Sequence, residues 1–347
     1  MPFTVTIQSS GHHFTVEESE SVLDAALRQG IILPYGCRNG ACGSCMGTLA
    51  SGRVEYPNGT PLALGERDQA SHKALFCQAR PTSDLDIIVR EVDAARDIEV
   101  RTFPCRVEKL EHLAHDVIRI YLKLPASDRM QFLAGQYIDV LIEGHEPRAF
   151  SIANAPHDDA LVELHIRYVE GGLFTDQVFH SMKEKAMWRI RGPLGTFFLR
   201  EESARPAVLI GGGTGFAPIK GILEHAFKSG LGKPLHLFWG VRARRDLYLD
   251  ALPQQWLQQH TNFRYTPVLS DARDGDHWDG ATGYVTDAVV KQYPDLSGHD
   301  VYMSGPPVMV QTGHDLFMRH GLNEARFFSD AFEYAAVAES IKGLKRD

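Results

Sequence analysis

The sequence has no apolar run of membrane-spanning length and no run of basic residues. The first absence removes a spanning helix. The second, with a net charge of −8, speaks against a nucleic-acid surface, although an acidic protein can still carry a local basic patch. Cysteine is scarce, five in 347 residues, and its uneven placement does not suit a disulfide framework. No basic-then-apolar leader precedes Met1-Pro-Phe-Thr-Val-Thr, which opens directly as a strand pattern, so the expected location is the cytoplasm. There is no internal repeat and no low-complexity segment. The apolar fraction of 44% and charged fraction of 23% are ordinary for a globular protein. The length exceeds one average core, so two or three domains are expected.

The scarce cysteines are concentrated. Cys37-Arg-Asn-Gly-Ala-Cys42-Gly-Ser-Cys45 and the later Cys77 give the spacing C-x4-C-x2-C…C. Four thiolates converging on two irons need a tight loop for three ligands and a later segment for the fourth, and this is the ligand run of plant-type [2Fe–2S] ferredoxins. Gly36, Gly40 and Gly43 interleave the first three, letting the backbone curl and aim N–H groups at sulfur. Zinc is the metal alternative, but its ligands usually come as two C-x2-C knuckles, and Cys77 has no such partner. Four unrelated buried thiols are the non-metal reading. The expected metal ligands are Cys37, Cys42, Cys45 and Cys77, and a thiolate-held cluster fits a reducing compartment. Cys105 reads as a buried core thiol.

Patterning divides the rest of the chain. Residues 3–7 and 13–16 alternate like a hairpin, and Ser21 caps a helix with Val22, Leu23, Ala26 and Leu27 on its apolar face, ending at Gly30. Strand patterns at Met46–Leu49, Arg53–Tyr56, Leu75–Gln78 and Leu85–Val89 complete a small α+β unit, residues 1–92, which resembles the β-grasp ferredoxin fold. A charged linker occupies 93–101. From 102 to 203, short strand signals at Val117–Leu122, Tyr137–Ile142, Ala149–Ile152, Val162–Tyr168 and Trp188–Arg191 predict an antiparallel β-barrel. From 204 to 335 strands and helices alternate, which predicts a parallel α/β domain. A tail, 336–347, has no assigned role.

Within the barrel, Gly135-Gln-Tyr137 followed by Arg148-Ala-Phe150-Ser151 resembles the flavin signature of the ferredoxin–NADP reductase superfamily. The resemblance implies Arg148 on a flavin phosphate, Phe150 over one isoalloxazine face and Ser151 reaching flavin N5 as a catalytic residue. An arginine fork and an aromatic ring suit those tasks chemically. Phe150 departs from the usual tyrosine and loses its hydroxyl. The superfamily's next segment is matched by His165-Ile-Arg167 and Gly171-Gly172-Leu-Phe-Thr175, whose backbone N–H groups around Gly172 and Thr175 would hold the pyrophosphate. Arg167 would add charge near that pyrophosphate or the adenine half. His165 is read either as a flavin contact or as a structural histidine.

Gly211-Gly212-Gly213-Thr214-Gly215-Phe-Ala-Pro218 follows an apolar strand and opens a helix, the context of a phosphate-binding loop. It resembles the superfamily's G-G-T-G-x-x-P loop rather than G-x-G-x-x-G. Backbone at Gly212, Gly213 and Gly215 would approach the pyrophosphate, and Thr214 would reach the nicotinamide ribose. Ser304-Gly305-Pro306-Pro307 matches the superfamily's C-G-P-P strand end with serine replacing cysteine. The implied catalytic role of Ser304 is beside the reacting nicotinamide and flavin, with hydride transfer slowed by the missing sulfur. Arg242 follows a strand where adenosine ribose recognition is expected. It would favour NADPH if it held a 2′-phosphate, against the reading of a solvated surface arginine. Phe327-Phe-Ser-Asp-Ala-Phe332 resembles the segment that lays an aromatic, here Phe332, over the flavin.

The whole chain resembles two groups of reductases: those of multicomponent oxygenases and, more closely, the CDP-6-deoxy-Δ3,4-glucoseen reductases. The resemblance implies a [2Fe–2S] cluster, FAD, and NADH as donor, with NADPH possible. It also implies an electron-accepting partner protein, an iron–sulfur sugar dehydrase or an oxygenase. A flavin between the other two groups makes chemical sense, because it takes an electron pair and releases single electrons. Glu17, Glu18 and Glu20 are read as solvated charge or as part of a partner surface. An inactive carrier is the reading from a different class, supported only by Phe150 and Ser304.

Overall fold

The computed structural model describes residues 2–332, so the domain end expected at residue 335 and the tail 336–347 lie outside the described residues. The chain forms two compact units. One holds the residues up to Glu99 with Ser329–Ala331, and the other holds Val100–Phe328 and Phe332. Among the described residues no helix is long and apolar enough to cross a membrane.

In the first unit, alternation makes an antiparallel hairpin of Phe3–Ile7 and His13–Val16, with Phe3 opposite Val16. Val5, Ile7, Phe14 and Val16 fall on the buried face. The Ser21 hydroxyl accepts the Asp24 N–H at 3.1 Å and caps the helix Val22–Arg28, whose Val22, Leu23, Ala25 and Ala26 are buried. The chain leaves this helix through Gly30 at φ +77°, a conformation that glycine adopts without strain. The five-stranded sheet runs His13–Val16, Phe3–Ile7, Leu85–Ile88, Met46–Ser51, Lys73–Leu75, with Phe3–Ile7 and Leu85–Ile88 parallel. This is the β-grasp arrangement.

Two local expectations shift. The strand expected over Leu75–Gln78 is Lys73–Leu75. Phe76 turns inward, fully buried, and its ring lies across Gly47, where a Cβ would stand 2.8 Å from Cζ. Burying such a ring is worth roughly 1.5–3 kcal/mol, enough to set where the strand ends. A helix at Glu66–Ala70 was not evident from periodicity, because none of its residues is buried.

The second unit begins with the barrel. Its sheet order is Arg148–Ser151, Tyr137–Leu141, Met187–Leu194, Arg101–Ala114, Val117–Lys123, Val162–Arg167, with antiparallel neighbours. A bridge between Ile152 and Leu164 joins its two ends. Phe103, Ile118, Ile120, Leu122, Ile138, Leu164 and Ile190 fill the interior. Cys105 is buried among them, its thiol pushed up to about 12 by desolvation. The Gly171-Gly172 turn leads into a helix, Leu173–His180, that the patterning did not reveal.

The α/β part is a sheet in the order Ala281–Thr282, Phe263–Leu269, Leu235–Val241, Ala207–Gly212, Asp300–Gly305, Phe327–Ala331. The pairs from Ala281–Thr282 through Asp300–Gly305 are parallel. The chain moves outward from Ala207–Gly212 on one side, then returns to its other side with Asp300–Gly305. Strand order therefore reverses between these two strands, and a crevice beyond their carboxyl ends is where such sheets bind ligands.

Candidate functional site

The four cluster cysteines are neighbours in two pairs. Cys37 and Cys42 share a hydrogen bond, as do Cys45 and Cys77. The Cys42 bond pushes the Cys37 thiol up, while the same bond draws Cys42 down to about 6, helped by Ser44. The Ser44 N–H points at Cys42 Sγ, 3.5 Å away. Among the described residues no group of three or more His, Cys, Asp or Glu is placed to hold a metal ion. Two thiol pairs suit two irons taking two thiolates each, rather than one tetrahedral zinc. The loop is held from below: Phe76 N–H donates to the Cys45 carbonyl at 3.1 Å, joining the triplet to the segment of the fourth ligand. Gly40, at φ +83°, packs so tightly on Pro61 that a Cβ would lie 2.8 Å from that ring. Arg38 pairs with Asp24 of the helix, and Gln78 Nε2 donates to its carbonyl at 2.8 Å.

Arg148, Phe150 and Ser151 lie on one barrel strand, antiparallel to Tyr137–Leu141. Arg148 Nη1 donates to the Glu146 carbonyl at 2.9 Å. Phe150 is half-buried, its ring 5.5 Å from Phe174. Gly172 is the N-cap of the helix Leu173–His180, so the backbone N–H groups of its first turn carry the positive end of the helix dipole. Thr175 lies in that turn, and its hydroxyl is committed locally: it accepts the Val169 N–H at 3.2 Å and has the carbonyls of Val169, at 3.0 Å, and Gly172, at 3.1 Å, as acceptors for its one proton. Any anion there would meet backbone rather than the Thr175 side chain.

Two residues of this region have partners distant in sequence or well buried. The His165 side chain is 0% exposed. Its Nε2 bonds Glu163 at 2.8 Å and its Nδ1 meets the Tyr248 hydroxyl at 3.0 Å. Both ring nitrogens are thus occupied within the protein, the arrangement of a structural histidine. The Arg167 guanidinium lies over Gly213, where a Cβ would stand 3.4 Å from Nη2. Nη1 is 3.3 Å from Asp116, while Nε and Nη2 are buried with no hydrogen-bond partner. Buried donors without acceptors are costly unless a ligand supplies them. Arg167 thus belongs with the glycine loop.

The loop runs from the strand Ala207–Gly212 through a single 3-10 turn, Gly213–Gly215, into the helix Phe216–Lys228. Gly213 takes φ +56° and its carbonyl accepts Trp239 Nε1 at 2.9 Å. Trp239 is held by the Phe216 ring stacked on it at 4.0 Å. Thr214 is buried. On the neighbouring strand, a Cβ on Gly305 would be 3.2 Å from Gly212 Cα, so the two strand ends approach backbone to backbone. Ser304 is 0% exposed and its Oγ has no hydrogen-bond partner. Pro306 precedes the helix Pro307–Arg319, and Phe332 N–H donates to the Gly305 carbonyl at 3.2 Å. Gly212, Gly213, Thr214, Gly215, Ser304, Gly305, Pro306 and Phe332 therefore converge, and Arg167 joins them from the barrel.

Arg242 is exposed, just beyond the strand Leu235–Val241, and its carbonyl accepts Asp271 N–H at 2.9 Å. Nearby Arg244 donates to the carbonyls of Asp276 and His277, each at 3.2 Å, across a cleft also lined by Arg273 and Trp278. Asp274 and Asp279 line the same cleft and Asp271 pairs with Arg273 at 2.8 Å, an acidic loop outside the expected site residues. The clustering of aspartate was the available signal. Glu20 is tied to Arg28 at 2.8 Å, which fits solvated structural charge.

Residues 5–82 match the 2Fe-2S iron-sulfur cluster binding domain, residues 104–199 the oxidoreductase FAD-binding domain, and residues 209–315 the oxidoreductase NAD-binding domain. The chain is 39% identical over 332 residues to the CDP-6-deoxy-L-threo-D-glycero-4-hexulose-3-dehydrase reductase of Yersinia pestis, covering 96% of this chain and 99% of that protein. It is 34% identical over 342 residues to the reductase component of phenol 2-monooxygenase from Pseudomonas sp. strain CF600, covering 97% and 96%. Among solved structures, the Amycolatopsis cytochrome P450 reductase GcoB superposes with a TM-score of 0.76 at 33% identity, over 96% of this chain and 99% of that one. The chain belongs to the ferredoxin reductase family, as an oxidoreductase that carries a [2Fe–2S] cluster, FAD and a nicotinamide nucleotide on one polypeptide.

Proposed function

We propose that the protein passes electrons from NADH through FAD and the [2Fe–2S] cluster to a partner protein, an iron–sulfur sugar dehydrase acting on a CDP-6-deoxyhexose. When bound, the nicotinamide supplies an electron pair as hydride, the flavin divides it, and the cluster delivers electrons singly. The observation that carries the reading is the full-length match, 39% over 96% of the chain, to a dehydrase reductase. A second reading, the reductase of a multicomponent oxygenase, is favoured by the 34% match to a phenol 2-monooxygenase component.

The residues fit these groups. Cys37 and Cys42 would hold one iron, Cys45 and Cys77 the other. Arg148 would take a flavin phosphate and Phe150 cover one ring face, with Phe174 keeping it in place. Backbone N–H groups after Gly172 would bind pyrophosphate, and Ser151 would reach flavin N5. The glycine loop, having no side chains to keep ligands away, would bind the nicotinamide nucleotide's pyrophosphate, with the unpaired Arg167 donors supplying charge. Ser304 would direct its unpaired hydroxyl at the nicotinamide, and Phe332 would lie over the flavin until the nicotinamide replaces it. The aspartates around Arg242 and Arg244 would repel a 2′-phosphate, hence NADH as donor. A thiolate-held cluster suits the cytoplasm.

The test is reconstitution. With NADH, the protein should drive deoxygenation at C3 by a purified pyridoxamine-phosphate-dependent sugar dehydrase. Failure there, with efficient coupling to a phenol hydroxylase, would favour the second reading.

A further inference from the structure

The helix Phe216–Lys228 carries a lysine that the electron path does not use. Lys220 lies five residues beyond Gly215, and its side chain is 6% exposed. The ammonium has three acceptors: Glu163 at 3.0 Å, Glu224 at 3.0 Å and the Ala153 carbonyl at 3.2 Å. Three donors and three acceptors leave nothing unmet. Ala153 is two residues beyond Ser151, and its own N–H donates to the Glu163 carbonyl at 2.8 Å. The second Glu163 oxygen accepts from His165, which is braced in turn by Tyr248. Beside Lys220, Gly221 brings the helix so close that a Cβ would stand 2.9 Å from the Asn154 carbonyl oxygen.

A buried ion pair is a poor way to gain stability, since an apolar residue of similar volume usually does as well. What a methionine could not do is bond a chosen backbone carbonyl. We infer that Lys220 is a positioning residue for hydride transfer: it ties the helix that opens at the glycine loop to the backbone that follows Ser151, and so fixes the nicotinamide side against the flavin side. The inference rests on the reductase reading. The levers are short, about 7 Å of strand from Ala153 to Ser151 and about 7.5 Å of helix from Lys220 to Gly215. A displacement of about 1 Å between reacting atoms can cost around 100-fold in rate.

The test uses the holoprotein and the double variant Glu163→Gln/Lys220→Met, which removes one charge of each sign; the Glu224 carboxylate, 27% exposed, keeps its access to water, and the introduced amide oxygen remains an acceptor for His165. Expected are a melting temperature close to wild type, NADH affinity within about 3-fold, and single-turnover flavin bleaching at least about 10-fold slower. A readout independent of turnover is the long-wavelength charge-transfer absorbance when NAD⁺ is titrated into chemically reduced protein, which should weaken with the loss of stacking. Lys220→Arg keeps the charge but displaces the donors, and serves if the double variant does not fold; the same slowing is expected. Wild-type bleaching and an undiminished band in a folded variant would overturn the positioning role alone. A wild-type protein that NADH cannot bleach would overturn both this role and the reductase reading.

Discussion

A Cβ built on Gly215 would collide with the carbonyl oxygen of Ser304 on the neighbouring strand. The glycine is thus required by the approach of two backbones as well as by a bound phosphate. Gly215→Ala must push the loop away from the strand end. Flavin and iron content should remain those of wild type, while stopped-flow bleaching by NADH should slow by roughly 100-fold. An unchanged rate would show that the loop does not bind the donor.

Arg167 should matter for binding the donor. Charge-assisted hydrogen bonds contribute about 1.5–3 kcal/mol, so Arg167→Met should weaken NADH binding by roughly 10- to 100-fold. Fluorescence titration of the oxidised protein checks this. Asp116 pairs with Nη1, so the charge-cancelling double variant Arg167→Met/Asp116→Asn, which also removes the buried and unpaired Nε and Nη2, should melt close to wild type. Lower melting with unchanged affinity would give Arg167 a structural role.

Ser304→Cys replaces an unpaired buried hydroxyl by a polarisable thiol of similar size. Single-turnover flavin reduction should quicken severalfold, and an unchanged rate would remove Ser304 from the reacting centre.

Most of the path was legible in the residues because each piece depends on local geometry. The hairpin at Phe3–Ile7 and His13–Val16, the Ser21 cap and the strand-loop-helix around Gly213 follow from alternation, capping and glycine placement within a few residues. What stayed hidden depends on distant partners. His165 could be read either way in the sequence, because its partners Glu163 and Tyr248 come together only in the fold. The nearness of the Arg167 guanidinium to Gly213, 46 positions away in sequence, is likewise set by the fold alone. The helix Glu66–Ala70 buries no side chain and leaves no periodic trace.

Acid should unfold the second unit partly through Glu163. Burial would raise this carboxyl, but the His165 hydrogen bond and the Lys220 charge overcome it and hold the group at about 2, against 4.5 when exposed. Its contribution, on the order of 3 kcal/mol, is complete above pH 4.5 and disappears as pH falls through 2. Glu163→Gln should therefore be less stable than wild type at pH 7, with the difference narrowing below about pH 4 in denaturant titrations. A constant difference would show that the carboxylate is not what the site stabilises.

Cys77 supplies the ligand outside the triplet. Cys77→Ser should lose the cluster's visible absorbance and iron while keeping bound flavin, and flavin bleaching by NADH should proceed at close to the wild-type rate. An intact cluster would displace Cys77 from the ligand set.

The most direct measurement is anaerobic stopped-flow mixing of the purified protein with NADH, followed at wavelengths that separate flavin from cluster. Flavin bleaching first, cluster reduction second, and much slower bleaching with NADPH are the expected course. A flavin that stays oxidised with either nucleotide would contradict the electron path from glycine loop to cysteine cage.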